Sequence, residues 1–112
     1  MTFQGGCSVR NNSARGIVVG TGGIVRECAS SGNKSHGIEA TSKCIIEGNT
    51  VRDNGVNGAA DGVRITGTGN QVRQNNATGH PNGANYNVPQ GNDLAPIGSV
   101  ATATSPWANL QF

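Results

Sequence analysis

One seven-residue frame, Gly-x-x-Val-Arg-x-(Asn or Cys), is written four times in this chain: Gly6 to Asn12, Gly22 to Cys28, Gly48 to Asn54 and Gly69 to Asn75. The copies begin 16, 26 and 21 residues apart, the spacing of solenoid turns with loops of unequal length. If the backbone coils once per copy, equivalent residues stack along the axis. Val9, Val25, Val51 and Val72 then line the interior, and Asn12, Cys28, Asn54 and Asn75 form a structural ladder at one corner. Arg10, Arg26, Arg52 and Arg73 stand in a single outward column.

A second piece precedes three of the frames: Gly16-Ile17-Val18-Val19, Gly37-Ile38-Glu39-Ala40 and Gly62-Val63-Arg64-Ile65. Period-two alternation makes each a short strand and puts Ile17, Ile38 and Val63 on one inward face. Glycine is expected at the corners because it tolerates positive φ. Variable length is taken up between Cys28 and Gly37 and between Asn54 and Gly62. Asn suits a tight corner, and stacked amides can hydrogen-bond one another along the axis.

Other solenoids fit poorly. A leucine-rich repeat needs several leucines per unit, and the chain has only Leu94 and Leu110. Hexapeptide helices need multiples of six, and calcium-binding nonapeptides need an Asp that does not follow Gly5-Gly6 or Gly22-Gly23. A right-handed parallel β-helix with unequal loops is what remains.

Composition limits the function classes. Leu, Ile, Val and Phe number 21 of 112 residues, so the interior is small. Eight Lys plus Arg against six carboxylates lack the basic excess of a nucleic-acid binder. No apolar run is long enough to span a membrane, and Met1 to Gln4 shows no secretory signal. The chain is therefore read as made without export or as a piece of something longer. Cys7, Cys28 and Cys44 form no Cys-x-x-Cys pair and have no His at ligand spacing. They are expected as buried thiols used as small apolar residues. No metal or cofactor is expected.

Gly37-Ile38-Glu39-Ala40, the run Cys44 to Asn54, and Asp61-Gly62-Val63-Arg64-Ile65 resemble the right-handed β-helix repeat proteins of the pectate-lyase-like superfamily, and the ending Ser105 to Phe112 looks like the tail of some members. The resemblance implies an all-β chain, a parallel β-helix solenoid of about four coils over residues 1–76. An irregular C-terminal segment over 77–112 would follow, with strand character around Tyr86 to Val88 and Ile97 to Ala103. Trp107, Leu110 and Phe112 are its expected cap. It also implies an extracellular or surface location if the chain is part of a larger helix. It does not specify an activity, because that superfamily includes lyases, hydrolases, phage and surface proteins.

Four coils stack to only ~19 Å at ~4.8 Å per rung, and both ends present unpaired strands. A homo-oligomer is the expectation, a trimer of side-packed coils first and an end-to-end dimer second. The arginine column suggests contact with an anionic polysaccharide, with Glu27, Glu47 and Asp53 as its neutralising neighbours. Glu39 and Arg64 occupy equivalent strand positions and predict a cross-rung ion pair. Ser35-His36-Gly37-Ile38 and Gly62-Val63-Arg64-Ile65 faintly resemble words of polygalacturonase-type hydrolases. Thr66 stands where their Lys would be, however, and only Glu39, Asp53 and Asp61 could be recruited as carboxylates. His36 and Arg64 are read as a loop His and a ladder Arg. His80, in a Gly-His-Pro turn, is read as a surface residue. The resulting picture is a non-enzymatic structural or carbohydrate-contacting module that self-associates; the alternative is an enzyme fragment acting on acidic polysaccharide.

Overall fold

Strands of two or three residues, each ending in a corner, wind this chain into a parallel β-solenoid of about four turns. The computed structural model describes residues 2–3, 5–55, 60–80, 83–99 and 101–112. The loop between Asn54 and Gly62, the turn after His80 and the strand expected through Val100 fall partly on residues outside that set, as do Met1 and Gln4. The first coil carries β1 (Thr2–Phe3), β2 (Ser8–Arg10) and β3 (Ile17–Val19), and the second carries β4 (Ile24–Arg26), β5 (Ala29–Ser31) and β6 (Ile38–Ala40). The third holds β7 (Ile45–Glu47), β8 (Thr50–Arg52) and β9 (Val63–Ile65), and the fourth β10 (Gln71–Arg73), β11 (Asn76–Thr78) and β12 (Tyr86–Asn87). β13 (Asp93–Leu94), β14 (Ile97–Gly98) and β15 (Asn109–Gln111) complete the chain.

These strands build three parallel sheets, one per side of the coil. The first is ordered β1-β4-β7-β10-β13, the second β14-β15-β11-β8-β5-β2 and the third β12-β9-β6-β3. Ile24 lies over Ile45, and Ile45 over Gln71, so one turn takes 21 residues and the next 26. Ile17, Ile38 and Val63 stack in the third sheet as the alternation predicts, each at most 2% exposed.

The four copies of the heptapeptide do not form one column. Val25 and Val72 belong to the first sheet with Ile46 between them. Val9 and Val51 belong to the second, with Ser30 between them. The frame encodes one strand and its corner, a unit that recurs on different sides of the coil. β4 starts five residues before β5, and β7 and β8, and β10 and β11, keep the same step. The 16-residue interval is a turn of 21 less this step, the 26-residue interval a turn of 21 plus it, and the 21-residue interval a turn of 26 less it.

Each corner places one residue in the left-handed region just before a ladder position. Gly6, Glu27, Gly48 and Gln74 serve one corner, Asn11, Gly32, Asp53 and Gly79 the next, and Gly22, Lys43, Gly69 and Gly91 the third, with φ between 52° and 89°. The ladder residues that follow form three amide stacks. In one, Asn12 Nδ2 donates to Asn33 Oδ1 at 3.0 Å, Asn33 Nδ2 to Asn54 Oδ1 at 2.8 Å, and Asn54 Nδ2 faces His80 Nε2 at 3.3 Å. In the second, Cys28 N–H donates to Asn49 Oδ1, Asn49 Nδ2 to Asn75 Oδ1 and Asn75 Nδ2 to Asn109 Oδ1, each at 3.0 Å. In the third, Cys44 N–H donates to Asn70 Oδ1 and Asn70 Nδ2 to Asn92 Oδ1, both at 2.8 Å. The expected ladder of Asn12, Cys28, Asn54 and Asn75 is thus split between the first two stacks. His80, expected at the surface, is 7% exposed and fills an amide position.

The glycines that open the third-sheet strands answer to space, not to φ. A Cβ on Gly37 would stand 2.6 Å from Asn54 Nδ2 and 2.8 Å from the Gly62 carbonyl oxygen. Their hydrogens alone fit against the neighbouring amide stack.

The winding continues past residue 76, where the coils were expected to end: β11, β12 and β13 all pair in register with the coil before them. The anticipated cap is also different. Trp107 and Phe112 are 51% and 71% exposed, and Leu110 lies in β15 against β11, outside the core cluster. Tyr86, Val88 and Leu94 pack on the core at that end instead. The Tyr86 hydroxyl sits 2.7 Å from the Leu110 carbonyl and 2.9 Å from that of Asn75.

Candidate functional site

The outer face of the first sheet gathers the polar groups that an in-register parallel sheet can align. Val25, Ile46 and Val72 point inward, so Arg26, Glu47 and Arg73 point out, one above another. Glu47 Oε2 accepts from Arg73 Nε at 3.0 Å, lies 2.9 Å from Arg73 Nη2 and 3.8 Å from Arg26 Nε. One carboxylate therefore lies between two stacked guanidinium groups, offsetting one of their two charges. Arg10 and Arg52 stand on the second sheet, separated by Ser31. The continuous arginine stripe of the sequence reading does not form. Each pair instead flanks an acidic or a hydroxyl side chain, which relieves the repulsion between like charges one rung apart.

Beside Arg73 the sheet is overhung by the returning tail. Gln74 N–H donates to the Trp107 carbonyl at 3.0 Å, and Gln74 Nε2 to the Pro106 carbonyl at 3.1 Å. These bonds fix the turn that carries Trp107. Its ring centroid lies 5.2 Å from Arg73 Cζ, a cation–π contact. Trp107, Arg73, Gln71, Asp93, Leu94, Ala95 and Pro96 enclose a pocket of about 360 Å3, within the range of small-ligand clefts. Gln71 and Asp93 are register partners and stand side by side along one wall.

A second polar cluster lies on the third sheet. Asp61 N–H donates to His36 Nδ1 at 2.8 Å, so the ring proton resides on Nε2. Nε2 is 3.9 Å from Glu39 Oε2, and Glu39 Oε1 is held by Arg15 Nη1 at 2.9 Å. Arg64 Nη1 reaches Asp61 Oδ2 at 3.4 Å. The Glu39–Arg64 ion pair expected across the rung is replaced by these two, although Glu39 and Arg64 are register neighbours. Burial alone would raise the Asp61 carboxyl. The Ala84 N–H and the Asn87 amide donate to it, with Arg64 alongside, and together they hold it below its ordinary value.

A family model described as a right handed beta helix region matches residues 5–95. The chain belongs to that family. No curated protein and no solved structure matches this right-handed β-helix. Family membership supports a structural or carbohydrate-related module and goes no further.

Of the residues singled out from the sequence of this β-helix, Arg73 and Trp107 meet in one place, Arg26 stands next to them through Glu47, and Arg10 and Arg52 lie on another side. Sequence reasoning missed Gln71 and Asp93, because their relation depends on the 22-residue register between β10 and β13. His36, Glu39, Asp61 and Arg64, noted as scattered words, are brought together. Among the described residues no group of three or more His, Cys, Asp or Glu side chains is arranged to hold a metal. The cysteines are free thiols, Cys28 and Cys44 buried and Cys7 half-buried. Burial first, and the neighbouring Cys7 sulfur second, push the Cys28 thiol up to about 11.

Proposed function

We propose that this β-helix is a non-enzymatic module that contacts carbohydrate on the outer face of its first sheet. The observation that carries the reading is the half-exposed indole of Trp107, braced by Arg73 over a pocket walled by Gln71 and Asp93. Sugars present flat C–H faces edged by hydroxyls. An accessible indole gives such a face a broad apolar surface, and planar carboxylate, amide and guanidinium groups pair with the hydroxyls. Trp107 is the one tryptophan in the sequence, so its intrinsic emission reports on this pocket alone. A saturable change in emission on titration with soluble oligosaccharides is the expected result, with binding measured by calorimetry lost in Trp107→Ala. A flat response to every saccharide class would reject it.

The competing enzyme reading centres on the His36 cluster. Inverting hydrolysis needs one carboxylic acid held protonated opposite a carboxylate base. Asp61 is instead held ionised, its oxygens engaged by Ala84, Asn87 and Arg64. Such a group stabilises a loop and does not deliver a proton. Reducing-sugar release from pectin or alginate above the blank would overturn this.

Self-association belongs to the same proposal. Among the described residues β1, β2 and β3 each end a sheet with no strand paired on the outer side, and edges of this kind recruit further strands or partners. A side-packed trimer is expected first and an end-to-end dimer second, with a single-chain sedimentation mass at micromolar concentration as the contrary result.

A further inference from the structure

We infer that the Trp107 pocket takes an uncharged pyranose, not a uronate, an inference that rests on the carbohydrate reading and narrows it. A guanidinium clamps a carboxylate through two parallel bonds either end-on, through Nη1 and Nη2, or side-on, along the edge formed by Nε and Nη2. In Arg73 that edge is already occupied, with Glu47 Oε2 at 3.0 Å from Nε and 2.9 Å from Nη2. Arg26 shares the same oxygen. What Arg73 can still offer a ligand is the N–H bonds of its Nη1–Nη2 end, and its charge is already shared with Glu47.

The neighbouring strand points the same way. Asp93 is exposed, and among the described residues it has no ion-pair partner. An ionised carboxylate accepts only. Its two oxygens match two adjacent sugar hydroxyls, whereas a uronate carboxylate in the same pocket would meet it as a like charge. Gln71, one rung away, can donate to or accept from either hydroxyl partner. Arg73 and Asp93 give the lining one charge of each sign, with Arg73 already bound to Glu47. A pocket built this way selects hydroxyl patterns over net negative charge.

The experiment is a titration of the intact protein, followed by Trp107 emission, with neutral gluco-, manno- and galacto-oligosaccharides and with oligogalacturonate and oligomannuronate of similar length. Neutral oligosaccharides are expected to saturate the change, with uronates at least about tenfold weaker, the equivalent of one charge-assisted contact. Asp93→Asn, which keeps the shape and removes the charge, is expected to weaken neutral binding by about tenfold or more and to narrow the gap to uronates. Unchanged far-ultraviolet circular dichroism establishes that the variant is folded. Uronates binding more tightly than neutral sugars, or an unchanged ratio in Asp93→Asn, overturns the inference while leaving the carbohydrate reading in place. Absence of any response to both classes removes the carbohydrate reading itself.

Discussion

Replacing Asn49 tests whether the amide stacks hold this helix together. Asn49 is fully buried: its Oδ1 accepts the Cys28 N–H at 3.0 Å, and its Nδ2 donates to the Val25 carbonyl at 2.9 Å and to Asn75 Oδ1 at 3.0 Å. Asn49→Ala orphans the buried Cys28 N–H, a loss of about 1–3 kcal/mol, and leaves a void lined by polar atoms. A total cost of about 2–4 kcal/mol follows, a large part of the stability of a small domain. Asn49→Asp is nearly isosteric, yet it turns the donor into an oxygen facing two other oxygens and buries a charge. It is expected to cost more than Ala at neutral pH. Asn12 makes the same kind of bond to Asn33 but is exposed at the end of its stack, so Asn12→Ala should cost less than about 1 kcal/mol. Urea unfolding followed by far-ultraviolet circular dichroism gives the three values. If Asn49→Asp is no worse than Asn49→Ala, or if Asn12→Ala costs as much as Asn49→Ala, the direction assigned to these hydrogen bonds is wrong.

Three further outcomes are expected. Gly37→Ala should destabilise by about 1–3 kcal/mol or more, since its Cβ meets the Asn54 amide and the Gly62 backbone; a unfolding midpoint equal to that of the parent would show that the neighbouring coil yields. The folded Asp61 carboxyl sits below its ordinary value, so its contribution is full above about pH 4–5 and lost as pH falls through the folded value. Asp61→Asn should therefore lower the midpoint near neutrality and flatten its decline in acid, and parallel curves for the two proteins would refute the assignment. With the Cys28 thiol raised to about 11 and buried, a thiol-specific reagent at mildly alkaline pH should label half-buried Cys7 first. Rapid labelling of Cys28, read by peptide mass, would contradict its placement.

The inward column of Ile17, Ile38 and Val63 was legible because alternation and a preceding glycine fix both the face and the start of each strand. The frame valines were misassigned for a physical reason: a strand of three residues plus a left-handed corner contains too little sequence to say which side of the coil it occupies. Only pairing distinguishes the sides, and pairing is non-local. Asn33 and Asn49 went unread because their corners are opened by Gly32 and Gly48 in words that depart from the frame or overlap its start. Asn109 could not be anticipated, since it reaches Asn75 from 34 residues downstream. His80 was hidden by chemistry: an imidazole meets Asn54 through Nε2 and Asn85 through Nδ1, at 3.3 and 2.7 Å, where an amide would be sought. The pocket was half legible. Trp107 and Arg73 stood out by residue type, while Gln71 and Asp93 acquire meaning only from register.

In the second sheet β15 lies between β11 and β14, although β14 comes earlier in the chain. Preceding rungs can be laid down in the order in which they leave the ribosome, because each needs only the rung before it. When Ile97 and Gly98 emerge, the neighbour they will pair with has not yet been made. The last layer therefore has to wait until Asn109 to Gln111 have been made before β14 can pair. β15, and not the long run of turns before it, sets when this layer closes.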